Sequence, residues 1–376
     1  MKTLNVGIIG FGFIGKVHAY GHQNIPFYYD MDKWQSKITH ICTAHKETAQ
    51  KAASIIPGAV GVTDFREITE NPNIDIVDIA SPNNQHLEVL ISAIKNNKHI
   101  YCDKPLVVNE KEAKVIEELL PNYTGIAQMT LHNRFYPVTL RAKELIEEGA
   151  IGEILEFNGC YLHSGNVDPN APLRWKLSGA SGGGVVADLG SHILDLMQHL
   201  MGNFTEICAS TNIAYPTRPS VEDPSKIVKV DGEDNMVVLA KLANNACGTI
   251  RASKIATGSE DELSLEIYGT KGAIRLEPMN LQKLFYYDNT ASTGVYGAKK
   301  GWTAIDCGQR YPKPAGFPTP KAVLGWTRAH VHCLYNFLDA VADNRQVRPN
   351  LSDGIKLQYL LEKVKVSAQE RRWLEV

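Results

Sequence analysis

The first third of the chain alternates short apolar runs with segments of helical periodicity. Five runs have the length and composition of buried strands, and the segments between them carry apolar residues on one helical face, as Leu87, Leu90 and Ile94 do within residues 86–96. This alternation predicts a parallel sheet covered by helices on both faces. The predicted strands cover residues 5–10, 37–43, 74–80, 99–102 and 125–130.

From Gly152 onward the pattern changes to longer strands. Leu263, Leu265 and Ile267 alternate with polar residues, which predicts a strand with one buried and one open face. We expect a large, mostly antiparallel, open-faced sheet with helices on one side, and a loop-rich segment over residues 281–320. The predicted strands of this half cover residues 153–163, 206–214, 226–230, 236–242, 247–255, 263–268 and 273–276.

A glycine-rich turn joins the first predicted strand to the first helix. The G-x-G-x-x-G spacing is the fingerprint of a dinucleotide-binding turn when it stands between a strand and a helix. The first glycine permits the tight turn, the second lets a pyrophosphate approach the backbone, and the third lets helix and strand pack closely. The helix N-terminus then offers free N–H groups to the anion. The turn consists of Gly10, Phe11, Gly12, Phe13, Ile14 and Gly15.

Two further polar clusters follow predicted strands of the same sheet. Ligands of parallel sheets bind beyond the carboxyl ends of the strands, so we expect both clusters to line the cofactor site. Lys104, placed at a strand end before a proline, is a candidate catalytic residue. The clusters comprise Ser81, Pro82, Asn83 and His86 in one case, and Asp103 and Lys104 in the other.

The end of the second predicted strand bears on the choice of cofactor. An acid at this position binds the ribose of NAD, but here the chain reads Ala44, His45, Lys46. A small residue followed by two basic ones suits the 2′-phosphate of NADP, so the pattern favours NADP over NAD. Alternatively, His45 and Lys46 are solvated loop residues and Glu47 binds a ribose.

Length and composition set the wider frame. A chain of 376 residues accommodates two cores, and we assign residues 1–128 to a Rossmann domain and residues 129–376 to an α+β domain for substrate binding and oligomerisation. The net charge of −2 gives no basic field for nucleic acid, and no apolar run has the length of a membrane span. Seven scattered cysteines and an immediate first strand predict a cytoplasmic protein without a signal peptide.

The second half contains one segment with clear chemical content. Three glycines, 182–184, precede a predicted helix that begins near Val185 and carries Asp188 and His192 four residues apart. Residues at this spacing share one helical face, and histidine is the side chain best suited to transfer a proton near neutral pH. A surface ion pair is the alternative reading for an arbitrary helix.

No metal site is predicted. His18 and His22 stand four apart in the first helix, but no third ligand is apparent and the H-E-x-x-H spacing is missing.

Taken together, the glycine turn, Ser81-Pro82-Asn83 with His86, Asp103-Lys104-Pro105, and the three glycines followed by Asp188 and His192 resemble the Gfo/Idh/MocA oxidoreductases. That family includes inositol dehydrogenase, glucose–fructose oxidoreductase and other sugar dehydrogenases, and the resemblance covers nearly the whole chain. It carries the family's catalytic lysine onto Lys104, although Asp103 replaces the glutamate of the family's E-K-P motif.

The resemblance implies hydride transfer between NAD(P) and a secondary alcohol of a sugar, polyol or inositol. His192 is then the general base, Lys104 stabilises the developing alkoxide, and Asp188 binds the sugar hydroxyl and orients His192. Two alternatives remain open: an NAD-dependent glycoside hydrolase that oxidises C3 transiently, and a non-catalytic dinucleotide-binding sensor. The candidate contacts of the carbohydrate substrate are Asn133, His163, Arg174 and Trp175. We also expect a homodimer or homotetramer formed through the open sheet face.

Overall fold

The computed structural model describes residues 1–279, 283–308, 311–316 and 325–376, which form two compact units. The first unit contains Met1–His132 and Trp326–Tyr359, and the second contains residues 133–308 and Leu360–Val376. Residues 326–359 thus group with the first unit although they follow the second sheet in the chain. The boundary after residue 128 stays a prediction.

The described part of the chain forms the following regular elements. The strands are β1 (Lys2–Ile9), β2 (Trp34–Cys42), β3 (Val60–Val62), β4 (Ile76–Ile79), β5 (His99–Cys102), β6 (Ala127–Met129), β7 (Ile154–Leu162), β8 (Phe204–Asn212), β9 (Thr217–Pro219), β10 (Ile227–Lys229), β11 (Asn235–Leu242), β12 (Cys247–Ser253), β13 (Glu262–Gly269), β14 (Gly272–Leu276), β15 (Lys283–Asp288), β16 (Trp302–Asp306) and β17 (Leu374–Glu375). The α-helices are α1 (Phe13–Tyr28), α2 (Lys46–Ile55), α3 (Arg66–Thr69), α4 (His86–Lys95), α5 (Glu110–Leu119), α6 (Pro137–Glu147), α7 (Ser191–Met201), α8 (Thr327–Ala342) and α9 (Leu351–Glu370).

The sheet of the first unit is parallel and has the strand order β3-β2-β1-β4-β5-β6. This is the order of the Rossmann fold, in which the strand order reverses between β1 and β4 and leaves a crevice at the carboxyl ends of these parallel strands. The residues of β4 are buried on both sides, as expected for a strand between two helical layers. The predicted α/β architecture of this half is therefore confirmed.

One face of this sheet carries buried polar groups that bind helices. Asp78 of β4 is fully buried, and its Oδ1 lies 2.7 Å from Nδ1 of His18 in α1. Nε2 of His22 lies 3.7 Å from the other carboxylate oxygen. Gln128 of β6 donates a hydrogen bond of 2.6 Å to the carbonyl oxygen of Cys333 in α8. Hydrogen bonds as well as apolar contacts therefore hold α1 and α8 on this sheet.

The second unit is built on a nine-stranded sheet with the order β16-β15-β14-β13-β7-β12-β11-β8-β17. Its described strand pairs are antiparallel except for β7 and β12, which run parallel. The alternation predicted for β13 is observed, since Leu263, Leu265 and Ile267 are buried and their neighbours are partly exposed. On the open face, Val237, Leu239 and Phe285 are each 38–40% exposed.

Two details of the predicted second half are wrong. The segment expected to be loop contains β15 and β16, which extend the large sheet; its residues 281–282, 309–310 and 317–320 lie outside the described range. Leu284 is buried and paired with Leu276, which explains why this Tyr- and Gly-rich stretch still forms strands. The strand predicted at residues 226–230 is confirmed as β10, but it pairs with β9 in a separate two-stranded ribbon and does not join the large sheet.

Within the part of the chain that the structure describes, no helix combines the length and the apolar character that a membrane crossing requires.

Candidate active site

The glycine-rich turn of the first unit has the geometry that its sequence predicts. Gly10 has a φ of +94°, and a Cβ there would lie 2.5 Å from the backbone of Ala80. A Cβ on Gly15 would collide with the carbonyl group of Gly10. Gly12 directly precedes α1, and a Cβ at this position would meet nothing within 4 Å. The turn thus leaves open space at a helix N-terminus, which fits the pyrophosphate of a dinucleotide.

The loop after β4 is held by a buried histidine. His86 is fully buried, with Nε2 3.0 Å from the carbonyl oxygen of Ser81 and Nδ1 3.1 Å from that of Pro105. The ring therefore links the loop after β4 to the loop after β5 through a carbonyl oxygen of each. Ser81 and Asn83 are each 7% exposed, and Pro82 precedes the short 3₁₀ turn that leads into α4.

Lys104 lies at the end of β5, as the sequence predicts. The residue is half-buried, and its backbone N–H donates a hydrogen bond of 2.9 Å to Oδ1 of Asp103. The carboxylate of Asp103 thus fixes the backbone N–H of Lys104, the candidate catalytic residue.

The end of β2 is open to solvent. Ala44, His45 and Lys46 are all exposed, and Lys46 is the first residue of α2. Glu47 lies in the first turn of the same helix. Both the basic pair and the acid are therefore accessible to an adenosine ribose or its phosphate.

In the second unit, Asp188 stands on a π-helical turn, Val186–Gly190, that directly precedes α7. The expected regular helix from Val185 is therefore wrong at this point, and the i,i+4 argument does not apply because the i→i+5 pattern widens the turn. Glu233 fixes the start of the turn: its carboxylate accepts a hydrogen bond of 2.9 Å from the N–H of Val186. Single π turns often occur at functional sites.

The preceding glycine segment is ordered by hydrogen bonds rather than loose. Gly184 has a φ of +100°, and a Cβ there would lie 2.5 Å from the Glu233 carboxylate. Asp231 accepts a hydrogen bond of 2.7 Å from the N–H of Gly179. The loop that contains Asp231 and Glu233 therefore determines the conformation of the segment before Asp188.

Asp188 is paired with two lysines. Nζ of Lys254 lies 2.6 Å from Oδ2 of Asp188, and the Lys254 side chain is only 8% exposed. Nζ of Lys176 lies 3.4 Å from both carboxylate oxygens, and this side chain is 54% exposed. Asp188 itself keeps 20% of its side chain exposed, so it is held by cations and remains accessible to a ligand.

His192 lies on α7 beside the aromatic side chains of β7. It is 7% exposed, and its ring contacts that of Tyr161 edge to face, with centroids 5.8 Å apart. Burial raises the pKa of Tyr161 well above its usual range, and the neighbouring Asp261 carboxylate adds to this effect. His163, which follows β7, places Nε2 2.9 Å from Oδ1 of Asp261.

The other candidate substrate residues occupy two different environments. Asn133 is 2% exposed, and neither atom of its side-chain amide has a hydrogen-bond partner among the described residues. Buried amides without partners are costly, so this one is a plausible ligand contact. Arg174 and Trp175 are exposed, and Nζ of Lys176 lies 5.8 Å from the centre of the Trp175 ring.

The sequence analysis missed Lys254, Tyr161 and Asp261. Lys254 directly follows β12, and His163 directly follows β7, so the two residues stand at the carboxyl ends of parallel neighbours. The rule that ligands bind at such ends would have indicated Lys254, but the sequence does not reveal that these two strands pair in parallel.

Comparison with known proteins agrees with these observations. Residues 4–130 match the family model of the NAD-binding Rossmann fold of the GFO/IDH/MocA oxidoreductases, and residues 143–376 match that of the family's C-terminal α/β domain. Among curated proteins, levoglucosan dehydrogenase from Pseudarthrobacter phenanthrenivorans is 30% identical over all of this chain and 99% of its own length. Myo-inositol 2-dehydrogenase from Thermotoga maritima is 26% identical over 72% of this chain and 74% of its own length.

Among solved structures, levoglucosan dehydrogenase in complex with NADH and L-sorbose superposes with a TM-score of 0.94 at 30% identity, covering 100% of this chain and 99% of that one. The two family models together span both units of the described structure. The chain therefore belongs to the Gfo/Idh/MocA family of oxidoreductases.

Proposed function

We propose that this protein transfers a hydride between NAD(P) and a secondary alcohol of a sugar, polyol or inositol. The observation that carries the proposal is the cluster around Asp188 in the second unit, where a partly exposed carboxylate, a buried lysine and the imidazole of His192 stand at the ends of β7 and β12. Such a cluster provides hydrogen-bond acceptors for hydroxyl groups and a base for one proton. The sugar and inositol dehydrogenases among the relatives support the substrate class.

The first unit would hold the cofactor. Open space at Gly12 and the N–H groups of α1 suit its pyrophosphate, while Ser81–Asn83 and Asp103-Lys104 contribute the neighbouring strand ends. When bound, the nicotinamide supplies the hydride acceptor. His86 supports these loops through its contacts with the carbonyl groups of Ser81 and Pro105.

Three residues of the chain have separate roles in proton transfer, charge stabilisation and substrate binding. His192 takes the proton of the substrate hydroxyl as general base. Lys104 stabilises the negative charge that develops on the oxygen. Asp188 accepts a hydrogen bond from a sugar hydroxyl and orients His192.

Four residues are proposed to contact the rest of the substrate. The amide of Asn133 would gain the hydrogen bonds that it lacks among described residues. The exposed plane of Trp175 suits the face of a sugar ring, and Arg174 and His163 supply polar contacts.

Three further assignments concern the choice of cofactor, the cellular compartment and the oligomeric state. The basic pair His45 and Lys46 favours NADP, with Glu47 as the competing ribose ligand. The seven cysteines are free thiols, which suits a reducing cytoplasm. The apolar residues Val237, Leu239 and Phe285 on the open sheet face support a homodimer or homotetramer that buries this face.

The test is a panel of sugars, polyols and inositols offered with NAD and with NADP, followed by the nicotinamide absorbance. Turnover of at least one substrate class is expected, and His192→Ala should abolish it. His199→Gln is the matched control, because His199 lies on the same helix and is not assigned a role. Glycoside cleavage without net reduction of cofactor would indicate the hydrolase instead, and cofactor binding without turnover of any substrate would indicate the sensor.

A further inference from the structure

Lys254 is a buried cation whose backbone is fixed on both sides. Its N–H donates a hydrogen bond of 2.8 Å to the carbonyl oxygen of Asp234, and its own carbonyl oxygen accepts one of 2.9 Å from Asn166. Asp234 is fully buried, and its carboxylate accepts hydrogen bonds of 2.8 Å from the Asn166 amide and 2.9 Å from the N–H of Ala214. The lysine backbone therefore rests on a rigid, hydrogen-bonded support.

The same loop also fixes the partner of Lys254. Glu233, the neighbour of Asp234, binds the N–H groups of Val185 and Val186 at the start of the π turn that carries Asp188. Two adjacent residues of one loop thus support the backbone of Lys254 and the start of the turn that carries Asp188. Support of this kind is what holds a reactive side chain within a fraction of an ångström of its working geometry.

The two lysines at Asp188 differ in what their contacts can do. Lys176 is more than half exposed, and its ammonium stands 3.4 Å from both carboxylate oxygens, so solvent weakens its attraction. Lys254 is buried, and its ammonium contacts Oδ2 at 2.6 Å. A buried ion pair loses much when one partner is removed, since the remaining charge is left without compensation.

We propose that Lys254 is a positioning residue of the dehydrogenase site: by binding Oδ2 it fixes the orientation in which the Asp188 carboxylate meets the substrate hydroxyl. The inference rests on the proposed function and adds a residue to it. No hydride or proton passes through Lys254. Its contribution is to hold the acceptor that binds the sugar.

The experiment compares Lys254→Met with Lys176→Met in the full-length protein. Lys254→Met should lower kcat/KM by about 100-fold, the upper end of the effect usually seen when a supporting partner is removed. Lys176→Met should lower it only a few-fold, because its charge is already screened. Lys254→Arg should restore part of the activity, and added methylamine should partly rescue Lys254→Met by returning a cation to the vacated space.

The pH profile separates positioning from a merely structural role. Removal of a nearby positive charge disfavours the ionised carboxylate of Asp188 and favours the protonated imidazole of His192, so the acid limb of kcat/KM in Lys254→Met should move to higher pH. The limb of Lys176→Met should stay near that of the parent. NAD(H) binding, followed by nicotinamide fluorescence, should be unchanged in any variant that is folded.

The outcomes are distinguishable. An active parent with a Lys254→Met variant within twofold of its kcat/KM, or with an unshifted acid limb, would overturn this inference and leave the proposed function intact. Should Lys254→Met fail to fold, Lys254→Gln carries the test: a loss of kcat/KM with the acid limb moved to higher pH supports the inference, and an unchanged kcat/KM or an unshifted limb contradicts it. A folded parent that binds cofactor but turns over no substrate of the panel would overturn both.

Discussion

Each unit contains a carboxylate with two basic partners. Comparison of the two distinguishes an acid that stabilises packing from an acid that can bind a ligand. Asp78 of the first unit is fully buried, with His18 at 2.7 Å and His22 at 3.7 Å. Asp188 of the second unit is 20% exposed, with Lys254 at 2.6 Å and Lys176 at 3.4 Å. The first carboxylate has no path to a ligand and stabilises the packing of a helix. The second remains open to solvent and is available to bind a substrate.

The partners differ in kind as well as in exposure. Burial alone would raise the pKa of Asp78, but the charges and hydrogen bonds of His18 and His22 outweigh burial and lower it. Burial would lower the pKa of His18, and the Asp78 carboxylate outweighs this and raises it. The pKa of the histidine in this pair is therefore set by the balance between burial and one carboxylate. The partners of Asp188 are two lysines, of which one is buried and the other exposed.

The largest effect that distinguishes the two acids is on activity. Asp188→Asn should lower kcat/KM by about 1000-fold, because an amide cannot replace the negative charge that binds the sugar and orients the base. Asp78→Asn should change kcat/KM little at a temperature where the variant is folded. The measurement is steady-state turnover of the substrate identified by the panel.

Equal losses in the two variants would remove the distinction. Asp195→Asn is a useful third variant, since Asp195 is 4% exposed and bound bidentately to Arg134 in the second unit. It tests whether any buried acid of that unit affects turnover.

The same two variants should rank in the opposite order for stability, with Asp78→Asn losing more than Asp188→Asn. Asp78→Asn should lower the free energy of unfolding by about 3 kcal/mol, since it leaves buried histidines without their charged partner. Asp188→Asn should cost less, because Asp188 itself is 20% exposed and one of its two partners, Lys176, is 54% exposed. Urea unfolding followed by tryptophan fluorescence provides the comparison.

Asp343→Asn is the matched control in the first unit. Asp343 forms an exposed pair with Lys33 at 3.0 Å, and we expect no measurable change of stability from its removal. An Asp78 variant as stable as this control would show that the buried pair contributes nothing.

The sequence reveals the first unit more completely than the second, for physical reasons. Buried parallel strands appear as continuous apolar runs, and the glycine spacing identifies the turn because Gly10 has a positive φ and Gly15 packs on the carbonyl group of Gly10. The second sheet depends on which strands pair. Periodicity shows that β7 and β12 are strands but not that they lie parallel, and Lys254 is recognisable only once that pairing is known.

The candidate residues show the same limit. Asp188 and His192 are identifiable from their types and spacing, whereas the π turn between them arises from contacts with Glu233, 45 residues after Asp188 in the printed sequence. His86 reads as a cofactor ligand because it follows a strand end, but its ring binds two loops from below. Long-range packing decides these points, and no local pattern encodes it.

A smaller effect concerns the dependence of stability on pH. The pKa of His18 is raised above 6.5 in the folded protein, so its contribution is fully present below that pH and is lost as pH rises through the folded value. The pKa of Asp78 is lowered, so the contribution of Asp78 is lost only under acidic conditions, below pH 3.8. Asp103, His22, Tyr101 and His330 also face His18, and Asp103 acts in the same direction as Asp78.

We therefore expect His18 to make the urea midpoint of the parent fall as the pH rises above 6.5. In His18→Gln the fall should be smaller, because the titrating group is gone. The same curve measured for Lys254→Met should keep the slope of the parent over this range. A parent midpoint that rises with pH, or an unchanged slope in His18→Gln, contradicts the assignment of charge to the buried pair.

The smallest expected effect is that of Lys46 on the KM for NADP, because this lysine is exposed whereas Asp78 and Lys254 are buried. Lys46 is solvent-exposed at the start of α2, so it can attract a 2′-phosphate but is screened by water and salt. Lys46→Ala should raise the KM for NADP by about fivefold, with little change for NAD, because a single exposed charge pair contributes at most about 1 kcal/mol.

Glu47→Gln tests the competing reading, in which an acid of the same helical turn binds the ribose hydroxyls. A rise in the KM for NAD in Glu47→Gln, with Lys46→Ala unaltered toward both cofactors, would reverse the preference toward NAD. Added salt sharpens the result, since a contact with the phosphate should weaken as ionic strength increases, whereas a hydrogen bond between Glu47 and a ribose should depend on it far less.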